Sequence, residues 1–142
     1  MNVSARNAFR GTITAVVDGA VNAEVELTLP GGDRIVAIVT EVSVKALGLA
    51  VGKEAIAYVK APWVVILSGP QDVKFSARNQ LAGTVTRIQK GAVNAEVAIT
   101  LPGGTTVCAV ITNEAVLELG LKEGSAASAL IKASHVILGV PA

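Results

Sequence analysis

The chain has 142 residues, a formal net charge of +1 and a single cysteine, Cys108. So even a charge balance speaks against a protein that grips a polyanion along its length, because that needs a basic face. One Cys and one His exclude an intrachain disulfide and fall short of the roughly four ligands of a structural zinc, so no direct metal-cation ligands are expected.

The composition is 51% hydrophobic but only 3% aromatic, and the mean hydropathy is +0.58. Ala, Val, Ile and Leu must therefore do the burying. The longest apolar runs, such as Ala61–Leu67, stop far short of the roughly 18–20 residues of a membrane span. Met1–Gly11 carries two arginines but no apolar stretch or cleavage signal, so the cytoplasm is the expected location and no membrane partner is expected.

Gly11–Val17 alternates small polar and β-branched residues and reads as a strand. Asp18-Gly19-Ala20 is a turn. Asn22–Leu29 places Ala23, Val25, Leu27 and Leu29 on one face, a half-buried strand of period two. Pro30-Gly31-Gly32-Asp33 is a hairpin signal, and Arg34–Val39 is the returning strand. The spacing then predicts a short helix at about 41–47, with Thr40 as N-cap and Gly48 just past its end. Glu54–Val59 and Val64–Leu67 read as closing strands around Lys60-Ala61-Pro62-Trp63, and Ser68–Asp72 as a linker.

The same text then begins again. Ser4-Ala5-Arg6-Asn7 returns as Ser76-Ala77-Arg78-Asn79, and Leu29-Pro30-Gly31-Gly32 as Leu101-Pro102-Gly103-Gly104. Aligning 1–70 with 73–142 gives roughly 31 identities in 70 pairs, a duplicated domain rather than a solenoid unit. The second copy repeats the elements, with its helix near 113–119. The expected fold class is all-β: two tandem OB-like five-stranded barrels, each with one short helix, over 1–70 and 71–142. A unit of this size buries a modest core, so the two domains are expected to share a core, to oligomerise, or both.

Charged residues shared by the copies are few: Arg6/Arg78, Glu24/Glu96 and Lys60/Lys132. Shared polar residues that could join them are Ser4/Ser76, Asn7/Asn79, Asn22/Asn94 and Thr40/Thr112. The set is rich in donors and fits a small oxyanion, with Arg offering a fork of N–H groups and Lys a compact charge. The same Ser, Thr and Asn also serve as caps and turn formers, and the same Arg and Lys as a solvated rim. Cys108 faces Val36 across the repeat and His135 faces Trp63. No Ser-His-Asp or Cys-His set occurs in both copies, so catalysis is not expected. Leu-Pro-Gly-Gly is a hairpin and not a phosphate loop, for no Gly-Lys-Ser/Thr follows it.

In order, Ser-Ala-Arg-Asn, Gly-Thr-Ile-Thr, Gly-Ala-Val-Asn-Ala-Glu-Val, Pro-Gly-Gly, Ile-Val-Thr, Leu-Gly-Leu and Val-Lys-Ala make a string that resembles the Mop (molybdate-binding) domain family. Two copies, covering about 2–68 and 74–140, resemble the di-Mop cytoplasmic molybdate-binding proteins of the ModG type. The resemblance implies OB-like barrels that bind molybdate or tungstate between domains, without an organic cofactor. It also implies a homotrimer of two-domain chains that serves molybdenum storage or homeostasis. By position the ligand pattern falls on Ser4, Arg6, Asn7, Thr40, Ser43, Val44 and Lys60. In copy two it falls on Ser76, Arg78, Asn79, Thr112, Ala115, Val116 and Lys132. Ala115 stands where Ser43 stands, which removes one hydroxyl donor. A second type of oxyanion site is implied at the turns Gly19, Ala20, Val21, Asn22 and Gly91, Ala92, Val93, Asn94.

Two other functions compete. An OB-fold nucleic-acid binder combines a basic groove with stacking aromatics. Here Phe9, Tyr58, Trp63 and Phe75 share no strand face and the charge is near neutral, so no nucleic-acid partner is expected. A molybdate-sensing regulatory module would act through a separate partner protein.

Overall fold

The computed structural model describes residues 3–69 and 72–142. Pro70 and Gln71 of the expected linker, and Met1 and Asn2 of the N-terminal stretch, lie outside the described residues.

Strand β1 (Asn7–Asp18) turns Asn7, Phe9, Gly11 and Ile13 inward and the residues between them outward. It begins four residues before the expected Gly11 because it serves two partners in succession. Residues 7–12 pair with β4 (Glu54–Val59), and residues 12–18 pair with β2 (Asn22–Thr28), with a bulge between Ile13 and Ala15. A bulge bends the strand and lets one long strand belong to both walls of a barrel. Gly11 sits at the bend: a Cβ there would lie 2.5 Å from the Thr28 carbonyl oxygen. Gly83 meets Thr100 in the same way at 2.4 Å.

The Pro30–Asp33 turn leads into β3 (Arg34–Thr40), which pairs with β2 from Asn22↔Thr40 to Thr28↔Arg34. Helix α1 (Glu41–Leu47) is bounded as expected: Thr40 Oγ1 accepts the Ser43 N–H at 3.1 Å, and Gly48 takes a left-handed conformation with φ of 64°. In copy two the elements are β6 (Asn79–Lys90), β7 (Asn94–Thr100), β8 (Thr106–Thr112), α2 (Asn113–Glu118) and β9 (Ala126–Ile131). Helix α2 stops one residue short of the expected 119.

The closing strands differ from expectation. β5 (Val65–Ser68) leaves its own copy and pairs with β9, from Val65↔Leu130 to Ser68↔Ala127. β10 (Ile137–Gly139) crosses the other way and pairs with β4 through Ile137↔Tyr58, Leu138↔Ala57 and Gly139↔Ile56. The two five-stranded sheets therefore run β10-β4-β1-β2-β3 and β5-β9-β6-β7-β8. The crossing follows from two short 3-10 turns, Ala61–Trp63 and Ala133–His135. The first packs on β8 of the second copy and the second on β3 of the first. Ala61 and Ala133 are buried at these contacts. One contiguous apolar cluster consequently runs from Phe9 and Ile13 to Val107 and Ile131. The fold is all-β, with two OB-like barrels, each completed by a strand of the other. Among the described residues, no helix is long and apolar enough to cross a membrane.

Candidate oxyanion site

The shared residues at the copy starts lie against the opposite copy. Asn7 pairs with Val59 in the β1–β4 ladder, which puts Arg6 and Lys60 at the same end of that pair. The Arg6 guanidinium forks onto the Glu96 carboxylate of β7, with Nη1 to Oε2 at 3.0 Å. Two residues from Glu96, Asn94 pairs with Thr112 at the start of α2. The related edge has Arg78 on Glu24, at 2.7 Å from Nη1 to Oε2. There Asn79↔Ile131 places Lys132 beside Arg78, and Asn22 pairs with Thr40. Arg6 and Lys60 are thus neighbours on one edge and Arg78 and Lys132 on the other, each arginine bonded to a glutamate of the opposite copy, while the Lys60 ammonium lies 5.8 Å from the Trp63 ring centroid.

Asn7 and Asn79 are engaged elsewhere. Both are only 2% exposed. Asn7 Nδ2 donates to Cys108 O at 2.8 Å, and Cys108 N donates back to Oδ1 at 2.7 Å. Asn79 makes the same pair with Val36, both at 2.8 Å. Each amide acts as one more rung of sheet, placed on an edge strand of the other copy. Buried amides are satisfied in this way because leaving them unpaired is costly.

Thr40, Thr112, Lys60, Lys132, Ser4 and Ser76 are exposed. The Thr40 hydroxyl donates to Ser43 Oγ at 2.9 Å while accepting from Ser43 N. In copy two Thr112 Oγ1 accepts from Ala115 N at 3.0 Å, so the backbone donor survives where the hydroxyl is lost. Val44 is half-buried and Val116 is buried. Ser76 and Lys132 line a cavity of about 190 Å³ with Trp63, Phe75 and His135. The Trp63 and His135 rings pack there tilted by 39° with centroids 4.9 Å apart, joining residues that are repeat equivalents. Cys108 is half-buried on β8.

Both turns of the implied second type open onto cavities. Gly19 and Asn22 line one of about 350 Å³ with Asp18 and Glu24. Gly91 and Asn94 line one of about 260 Å³ with Lys90 and Glu96. Val21 and Val93 point outward from the turns and are exposed, and Ala20 and Ala92 are exposed with them. Glu24 and Glu96, recognisable from the repeat as possible partners of Arg or Lys, thus each bond an arginine of the other copy and line a turn cavity. Arg87, which ion-pairs with Glu96 at 3.0 Å, has no equivalent in copy one. Its signal in the sequence is a copy-specific charge facing Ala15 across the repeat.

Comparison with known proteins agrees with this architecture. The TOBE domain profile matches residues 3–66 and again 76–138. The chain is 45% identical over 141 residues to the molybdenum-pterin-binding protein MopA of Rhodobacter capsulatus, covering 99% of this chain and 53% of that one. It is 44% identical over 140 residues to the molybdenum transport protein ModE of Azotobacter vinelandii, covering 99% and 52%. The chain spans about half the length of the curated relatives it matches. A crystal structure of the cytoplasmic molybdate-binding protein ModG, with molybdate bound, superposes with a TM-score of 0.94 at 57% identity, covering 99% of this chain and all of that one. The chain belongs to the TOBE domain family, as a tandem, di-Mop member.

Proposed function

We propose that this protein binds molybdate, and tungstate with it, between domains of an oligomer, and that it serves molybdenum storage and homeostasis in the cytoplasm rather than catalysis. The observation that carries the reading is the pairing of Arg6 with Glu96 and of Arg78 with Glu24 of the opposite copy, each glutamate two residues along its strand from an Asn that pairs with Thr112 or Thr40, on a chain 57% identical along its length to a molybdate-bound relative. Molybdate is a tetrahedral dianion with four acceptor oxygens. Fixed N–H and O–H donors with one or two cations suit it, since burying such a charge without donors is very costly.

The oligomer we propose is a trimer of two-domain chains. Its support lies in apolar side chains left uncovered in one chain. Val21 is 72% exposed, Val42 78% and Leu117 71%. Helix α1 buries no residue at all. Ligands shared between chains make binding and assembly stabilise one another.

The test is calorimetric titration with molybdate, tungstate and sulfate, together with metal analysis and the mass of the purified oligomer. Saturable heat with molybdate at micromolar concentration, with sulfate much weaker, is expected. No heat with molybdate or tungstate overturns the reading.

A further inference from the structure

The cavities at the 18–22 and 90–94 turns are lined by equivalent positions and are opposite in charge. Each residue lining one is 72 positions from its counterpart in the other: Val17/Gln89, Asp18/Lys90 and Glu24/Glu96 among them. The groups bonded to these linings widen the contrast. In copy one, Glu41 Oε2 accepts the Gly19 N–H at 3.1 Å, and among the described residues Arg78 pairs with Glu24. In copy two, Asn113 stands in place of Glu41 and donates to the Gly91 carbonyl at 2.9 Å, the Gly91 N–H bonds the Asn94 carbonyl at 2.7 Å, and Glu96 is shared by Arg6 and Arg87.

The first cavity therefore sets three carboxylates (Asp18, Glu24, Glu41) against one cation. The second sets three cations (Lys90, Arg6, Arg87) against one carboxylate. Glu114 on α2 and Lys45 on α1 have uncharged counterparts, Val42 and Leu117. They narrow the contrast by one charge at each end without reversing it. The cavities are smaller than the ~10 Å screening length at 0.1 M salt, so a dianion in either one meets these charges.

We infer that the 90–94 cavity takes the molybdate-class dianion and that the 18–22 cavity disfavours it, because the charges around the two turns are opposite in sign. Lys90 and Arg87 are the specificity-determining groups at one end, Asp18 and Glu41 at the other. This rests on the oxyanion-binding function proposed above.

Exchanging residues between the copies tests it. Lys90→Asp should weaken one class of molybdate sites by about tenfold at low salt. The double change Asp18→Lys with Glu41→Asn should add or tighten a class by a similar factor. Both effects should shrink near 1 M salt, where the screening length is about 3 Å. Calorimetric titration reads the classes, and thermal melts with the oligomer mass verify folding. Crystals of the unaltered protein soaked in tungstate give an independent reading, with anomalous density expected beside Asn94 and not beside Asn22. Equal density at both turns, or folded variants that titrate like the parent, would overturn the inference and leave the function standing. A parent protein that binds no oxyanion overturns both.

Discussion

Asn7 holds the backbone of Cys108 with both ends of its amide, at 2.8 and 2.7 Å. Asn79 holds Val36 in the same way. Each contact ties the first residue of a long strand to the edge strand of the other copy, next to the arginine that crosses between copies. Removing the amide strands a half-buried N–H and C=O together. Asn7→Ala or Asn79→Ala should each cost about 1–3 kcal/mol of stability, measured as a shift in the urea midpoint. A change within error would mean that water replaces the clamp without loss.

The neighbouring arginines should behave in the opposite way. The side chain of Arg78 is 51% exposed and that of its partner Glu24 32% exposed, and exposed ion pairs of this kind contribute about 0–1 kcal/mol. Arg78→Ala should therefore leave the melting transition nearly unchanged while impairing one class of oxyanion sites. A variant that lost stability but titrated molybdate like the parent protein would make Arg78 a structural residue only.

The hairpin tips offer a sharper contrast. Gly31 has φ of 95°, and a Cβ there would fall 2.0 Å from the carbonyl oxygen of Gly103 in the other copy. Gly32 has φ of 99° and nothing within 4 Å. Gly32→Ala bears only the cost of its backbone conformation, about 1–2 kcal/mol. Gly31→Ala bears that cost and must also push two turns apart, a further ~1–3 kcal/mol of overpacking. Denaturant unfolding of the two variants should separate them in that order. Equal losses would show that the tips do not touch in solution.

What the sequence made legible was local. Alternation in Asn22–Thr28, the Pro-Gly-Gly turns and the Thr40 cap each rest on neighbours within a few residues, and all stand where expected. The crossing of β5 and β10 rests on nothing local. Val65-Ile66-Leu67 and Ile137-Leu138-Gly139 are both apolar enough to close either barrel, and the choice is made by the turns at Trp63 and His135 packing on the opposite copy. For the same reason Arg6 gave no sign that its carboxylate would be Glu96 rather than Glu24. The shared donors were visible as agreements between the copies. The electrostatic difference between the two turn cavities lay in the disagreements, Asp18 against Lys90 and Glu41 against Asn113.

That crossing makes a reciprocal prediction. Leu138 lies late in copy two, is 8% exposed and pairs with Ala57 of copy one. Ile66 lies in copy one, is 6% exposed and pairs with Ala129 of copy two. Truncating either leaves a cavity in the barrel it closes, not in the copy that carries it. Leu138→Ala should cost about 2 kcal/mol, the low end for buried Leu, because its strand is short and at an edge. Local opening follows the weakened contact, so amide exchange should accelerate along β4, at Ile56–Tyr58, more than along β9. Ile66→Ala should do the reverse, loosening β9 near Ala129 and sparing β4. Hydrogen exchange read by mass spectrometry distinguishes the two patterns. If Leu138→Ala loosened β9 while β4 kept its protection, each copy would be closing its own barrel, and the cross-copy assembly of Arg6 with Glu96 would lose its structural basis.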